Sequence, residues 1–411
     1  MQKKIIALAV AGLASTAAFA QSSNVTVYGR ANMGLDTYGA SGAANGGGSN
    51  LNTRTRVFDS GSRLGFRGTE DLGGGMKAGF TIEAGVNMDN AGATGAGNFG
   101  QNGAATNGSS GGIASRDSWL SIGGNWGEVR TGRISLFWGD GALNQTAANY
   151  VNGGVTLTTG VGTGLVTGPT NRTNNVLAYV SPNFSGFSAM LGYVASAEGH
   201  GAANAAAGTA ANANNKTNAA GWSTRFNYAN GPFTALADYT ALTAQDTEAV
   251  TGINKNIGMK LGLGYSYAPG SQVAFIWSQL RNNNITAAVG TIANAGDDLR
   301  QSAWTLNWEH TMGNTQLLGQ YARASNASGM TGATTGSSDI RQWMLGAKYN
   351  LSKRTGMYVT YNRIQNAELA FSDYAGGGYT SSQNAAGAGT LGVQQRGADP
   401  TVIAVGVMHN F

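Results

Sequence analysis

The chain has 411 residues, no cysteine, 65 glycines, only 5 prolines and a formal net charge of +5. No disulfide can staple it, and so mild a positive balance, without a basic run or an aromatic-plus-basic motif, argues against nucleic acid as a partner. Beyond residue 20 no apolar stretch approaches the roughly 20 residues of a membrane helix. If the chain enters a bilayer, it must do so as a closed β-barrel, the other way to satisfy every backbone polar group in lipid.

The first segment, MQKKIIALAVAGLASTAAFA, has a basic start (Lys3, Lys4), an apolar run over residues 5–13 and Ala18-Phe19-Ala20 as a small-residue cleavage site. That is the pattern of a secretory signal peptide, residues 1–20, with residues 21–411 exported as one domain.

From residue 24 onward a period-2 pattern recurs. NVTVYGRANMGLD sets Val25, Val27, Ala31, Met33 and Leu35 against Thr26, Tyr28, Arg30, Asn32 and Asp36. SRLGFRG, KAGFTIEAG, WSTRFNY, PFTALADY, MKLGLGYSY, QVAFIWS, SAWTLNWEH, QLLGQYAR, RQWMLGAKYN and TGMYVTYN repeat it. Segments of this length, with one apolar face, have the signature of transmembrane β-strands. The connections alternate in length. Seven are short (EDLGGG, GGNWGE, SPNFSG, YANGP, YAPGS, TMGNT, NLSKR), and eight are long and rich in glycine, alanine and asparagine: 37–55, 86–114, 134–173, 197–220, 241–256, 281–300, 324–340 and 363–399. Fifteen connections mean sixteen strands, with both ends of the chain on the short-turn side. The expected fold is all-β: a sixteen-stranded antiparallel transmembrane β-barrel.

Aromatics recur at strand ends on the apolar face (Tyr265, Tyr267, Trp304, Trp308, Trp343, Tyr349), as in the girdles of membrane barrels. One segment breaks the pattern: NNVLAYVSP is apolar on both parities. If the apolar faces meet lipid, the lumen is lined by Tyr28, Arg30, Arg63, Arg67, Lys77, Glu83, Arg225, Asn227, Asp238, Lys260, Asn307, Glu309 and Lys348, and the lipid face carries almost no charge. A barrel of sixteen strands is wide enough for a water-filled channel. The long connection after the fifth strand, ISLFWGDGALNQ and onward, is partly apolar (Leu136, Phe137, Trp138, Leu143), which makes it a candidate to fold inward and narrow the pore.

The runs NVTVYGR, SRLGFRGTEDLGGGMKAGF, SRDSWLSIGGNWGEVRTGR, LAYVSPNFSGF, LSKRTGMYVTYN and VGVMHNF resemble the trimeric, sixteen-stranded general porins of Gram-negative outer membranes across the whole exported chain. The resemblance implies passive diffusion of small hydrophilic solutes with weak anion preference, and a third external loop folded inward as a constriction. It also implies a homotrimer joined through apolar walls and delivery by the barrel assembly machinery. Carried onto this chain, the basic cluster is Arg63, Arg116 and Arg172, with Arg133 at the root of the inward loop. Asp140 is the acid available in that loop, where the family's acidic motif is replaced by FWGDG. Lys77 and Glu83 complete the charged pore set. Arg116 shares a parity with Leu120 and Ile122, so either a bulge re-aims it or it lies above the membrane in the loop. The closing strand, ending in Phe411, matches the family's assembly signal and would pair with the first to seal the barrel.

Alternative readings are a solute-specific channel for an anion such as phosphate or an organic acid, and a surface adhesin or receptor worked by its loops. An enzyme is disfavoured. His200 sits in a low-complexity loop, while His310 and His409 fall on lipid-facing positions with no acidic partner apparent. No metal-ligand spacing occurs and no cofactor is expected; calcium at Asp297 and Asp298 has no support beyond the two carboxylates.

Overall fold

The computed structural model describes residues 24–43, 50–86, 88, 113–136, 143, 165–166, 168–169, 172–195, 220–243, 255–285, 292–333, 335–372 and 396–411. The segment expected to be a signal peptide lies outside these. The strand segments are β1 (Asn24–Ser41), β2 (Leu51–Asp59), β3 (Arg63–Gly73), β4 (Met76–Gly85), β5 (Ser118–Gly124), β6 (Gly127–Ser135), β7 (Arg172–Val180) and β8 (Phe187–Val194). There follow β9 (Gly221–Asn230), β10 (Phe233–Thr243), β11 (Lys255–Ala268), β12 (Ser271–Asn283), β13 (Leu299–Met312), β14 (Thr315–Ala324), β15 (Ile340–Asn350), β16 (Thr355–Asn366) and β17 (Asp399–Asn410). Each pairs antiparallel with its neighbours, and β1 pairs with β17, so the sheet closes.

Seventeen segments make sixteen strands because β2 and β3 are halves of one. β1 pairs with β3 from Asn24 to Arg30 and with β2 from Met33 to Ala40. The break between them is well bonded: Ser60 N donates to Asn32 O (2.8 Å) and Ser62 N to Asp59 Oδ1 (2.9 Å). Asn32 N donates in turn to Ser62 Oγ (3.0 Å), and the Tyr358 hydroxyl to Asn32 Oδ1 (2.8 Å). The first hairpin also runs further than the sequence suggests. Residues 37–41 and 51–55, read there as loop, continue the ladder as the tops of β1 and β2. Just below this extension Arg56 pairs inward with buried Asp36 at 3.0 Å.

Alternation decides which face is which. In β17, Ile403, Val405 and Val407 lie outward and exposed, while Val402, Ala404 and Met408 are buried inside. At the seam Gly29 and Phe411 exchange two backbone hydrogen bonds, of 3.0 and 3.1 Å. The Phe411 ring covers Gly29 so closely that a β-carbon there would collide with it. All seven tight connections lie at the end holding Asn24 and Phe411, and the eight longer ones at the other.

Aromatic pairs ring the outer wall near the turn end (Phe187–Tyr228, 4.4 Å; Phe233–Tyr265, 5.2 Å) and again higher up (Tyr193–Trp222, 4.8 Å; Tyr321–Trp343, 4.2 Å). His310 belongs to the lower ring, stacked beside Trp308 and hydrogen-bonded through Nδ1 to the Tyr267 hydroxyl (3.0 Å). The ambiguous β7 resolves plainly. Leu177 faces lipid, whereas Val176 and Ala178 are buried against Ile134, Leu136 and Val194 on the inner wall.

At the loop end, side chains from several connections share one apolar cluster that includes Leu165, Ile292, Ala327 and Phe371. Asp297 ties two of these connections together. It accepts from the Thr331 hydroxyl (2.5 Å), the Thr331 amide (2.8 Å) and the Asn294 amide (2.9 Å). Burial opposes its charge, but the bonds from Thr331 and Asn294 outweigh that and hold the carboxyl below its ordinary value. This contribution is therefore present above the unfolded pKa and lost as pH falls through the lower folded one. Amide exchange at Asn294 and Thr331, corrected for intrinsic rate, should accelerate only below about pH 3.8 in the native chain, and at every pH in Asp297→Ala.

Candidate pore constriction

Two carboxylates on the β4–β5 side of the lumen organise the basic cluster. Glu83, buried near the loop end of β4, receives the Arg116 guanidinium in a short ion pair and the Tyr28 hydroxyl at 3.2 Å, with Arg63 Nε 3.9 Å away. Asp117, next to Arg116, binds Arg172 Nη2 at 3.0 Å and the Ser135 amide and hydroxyl at 2.6 and 2.8 Å. Arg133 completes the group, donating from Nε to Ser115 O (2.9 Å) and from Nη1 to Asn174 Oδ1 (2.6 Å).

Arg116 can join because it precedes β5. The Arg116 amide donates to Glu83 O at 2.9 Å, and the side chain turns inward before the alternation of Leu120 and Ile122 begins. Four guanidiniums against two carboxylates leave a formal surplus of two positive charges. The structure thus brings together Arg63, Arg116, Arg133, Arg172 and Glu83. Lys77 stands apart, paired in register with Asp71 six residues along β4, roughly 20 Å from Glu83 at strand rise. Asp140 lies outside the described residues.

A second group of inward charges is tightly paired. On β9–β11, buried Asp238 bridges Arg225 (2.5 Å) and Lys260 (3.3 Å). Beside them, Leu143 of the β6–β7 connection packs on the inner wall with Leu236, Ala274 and Ile276. Its side chain fills the space over Gly262 and Gly264, and its carbonyl accepts from Asn307 Nδ2 at 3.2 Å.

A Gram-negative porin family model matches residues 7–369. The chain belongs to the Gram-negative porin family. Outer membrane porin protein 32 of Delftia acidovorans is 31% identical over 424 residues, covering 100% of both chains. Major outer membrane protein P.IB of Neisseria meningitidis serogroup B is 27% identical over 92% of this chain and 98% of its own. Among solved structures, an anion-selective porin from Comamonas acidovorans superposes with a TM-score of 0.62 at 23% identity, covering 95% of this chain and 100% of that one. OmpF of Salmonella typhi, in complex with daunomycin, gives 0.61 at 14% identity, over 94% of this chain and 97% of its own. This porin is therefore an outer-membrane channel for passive diffusion, built on a closed sixteen-stranded barrel.

Asp117 is the member of the cluster that sequence reasoning missed. Its signal was visible in SRDSW, where an acid adjoins Arg116 just before a strand and is free to turn the same way. Glu83→Gln retains an acceptor for Arg116 while removing one negative charge. A charge ~10 Å from a passing ion in water is worth about 0.4 kcal/mol, with opposite sign for chloride and potassium, so the chloride-to-potassium permeability ratio should rise about fourfold in a bilayer reversal-potential measurement.

Proposed function

We propose that this porin is weakly anion-selective, that the β6–β7 connection narrows its lumen, and that it works as a homotrimer. The observation that carries the selectivity is the surplus of guanidinium over carboxylate at the β4–β7 wall, where Glu83 and Asp117 hold the arginines in place without cancelling them. Charges at these separations in water act by summed potential rather than by tight binding, so the bias is several-fold and weakens with salt. The anion selectivity named for the Comamonas acidovorans porin agrees with this reading. The constriction is supported by Leu143, which rests on the β10–β13 wall although Leu136, seven residues earlier, belongs to the β6–β8 wall.

Planar bilayers in a KCl gradient should give a reversal potential on the anion side. Substituting Arg63, Arg116 and Arg172 together by Gln should pull it toward zero; cation selectivity of the native channel would overturn the reading. A current that saturates with one anion would favour the solute-specific alternative. For the constriction, Gly264→Val fills the Leu143 socket and Leu143→Ala empties it. Each should raise open-channel noise several-fold in folded protein, and the double variant should be no worse than either single one.

Phe411 acts in assembly as well as closure. Phe411→Ala should lower the yield of folded, heat-modifiable barrel in the outer membrane and leave unchanged the conductance of the barrels that do form.

A further inference from the structure

His310 takes no part in the lumen. Alternation along β13 turns it outward with Leu306 and Trp308, at the turn end of the barrel. Its ring stands nearly parallel to two neighbours, 11° from Tyr267 and 7° from Trp308, each at 5.9 Å between centroids. Two hydrogen bonds decide its tautomer. The Tyr267 hydroxyl donates its single proton to Glu309 O (3.0 Å), so toward His310 Nδ1, also at 3.0 Å, it can only accept. In the neutral ring Nδ1 therefore carries the proton, and Nε2 is left as a bare acceptor. Among the described residues no hydrogen bond uses that atom.

On the loop side of this trio the outer wall is hollow. Ala235 of β10 is paired in register with Tyr228 on one side and Leu263 on the other, so a small side chain lies between two large ones. The hollow measures about 460 Å³ and is walled by Phe233, Leu263, Tyr265, Phe275 and Leu306, all of them exposed. Val273 also lines it and is paired with Trp308, two residues from His310, so the three stacked rings stand at its turn-end mouth. Among the described residues the neighbouring outward positions carry no charge, and the Glu309 carboxylate turns to the lumen, toward Gln316 Nε2 at 3.3 Å.

The short turns of an outer-membrane barrel lie on the periplasmic side, and its aromatic girdles mark the level of the headgroups. The hollow thus opens to acyl chains of the periplasmic leaflet, and its mouth to their headgroups. A lone-pair acceptor there selects a headgroup that donates. Resting on the placement of this chain in the outer membrane, we infer that the β10–β13 face seats one phospholipid with a primary ammonium headgroup. An acyl chain lies over Ala235, and the ammonium donates an N–H to His310 Nε2. The rings of Tyr267 and Trp308 add π faces that attract the same cation. A quaternary ammonium keeps that attraction but has no N–H to give, and a glycerol headgroup offers hydroxyls but no cation.

The test reconstitutes the full barrel in vesicles of equal phosphatidylethanolamine, phosphatidylcholine and phosphatidylglycerol. Lipid retained after detergent extraction is identified by native mass spectrometry. His310→Phe keeps the ring stack and removes both nitrogens, while Ala235→Trp fills the hollow and leaves His310 in place. The native barrel should retain phosphatidylethanolamine about fivefold over either other lipid, the ratio that one net hydrogen bond supplies. His310→Phe should keep the total lipid retained and lose the preference, whereas Ala235→Trp should lower retention of all three. Single-channel conductance should stay native in both variants, because neither residue faces the lumen. Equal retention of the three lipids by the native barrel would overturn the proposal, as would a preference that survives His310→Phe. Stronger retention of phosphatidylglycerol would overturn it too, and would assign the mouth to an imidazolium that binds phosphate. Loss of native oligomers in Ala235→Trp would overturn it in favour of contact between copies.

Discussion

Every backbone polar group of a membrane-spanning sheet must be paired, since lipid offers no alternative partner. Here that requirement is met by the pairing of β1 with β17, continuous from Arg30–Asn410 to Ser41–Asp399 and extended by the exchange between Gly29 and Phe411. The other strands depend on this seam, because an open edge would expose a row of unpaired groups to hydrocarbon. The split second strand shows how strictly the rule is kept. Where the ladder breaks at residues 60–62, Asn32, Ser62 and Asp59 take over the bonds with side chains.

Closure turns a local alternation into a division of solvent. One parity meets lipid and the other meets the lumen, so the same wall carries Val405 outside and Ala404 inside. Inside, charge is organised in groups rather than spread evenly. Glu83 and Asp117 gather arginines at the β4–β7 wall, and Asp238 holds Arg225 and Lys260 at the β9–β11 wall. In each group a carboxylate limits the repulsion between cations and fixes their direction, while the surplus remains positive.

Glycine and small residues give the inner wall its contours. Gly262 and Gly264 leave room for Leu143, and the apolar inner face of β7 receives Leu136. The described residues of the β6–β7 connection thus pack at three places: Leu136 against β7, Leu143 over Gly262 and Gly264, and Leu165 in the apolar cluster at the loop end. That explains why the segment NNVLAYVSP is apolar on both parities: its inner face meets protein, not water.

The sequence by itself determined the strand count, the alternation of short and long connections, the faces of nearly every strand and the pairing of the last strand with the first. These follow from a period of two and from turn chemistry, which are local. It also supplied the members of the basic cluster through family resemblance, though not their partners. Only the tertiary structure decided that Arg116 turns inward to Glu83, that Asp117 meets Arg172, and that Lys77 stands apart. The physical reason is register. Which side chains converge depends on how strands slide past one another and where each leaves the sheet, and residues far apart in sequence carry no local mark of that meeting.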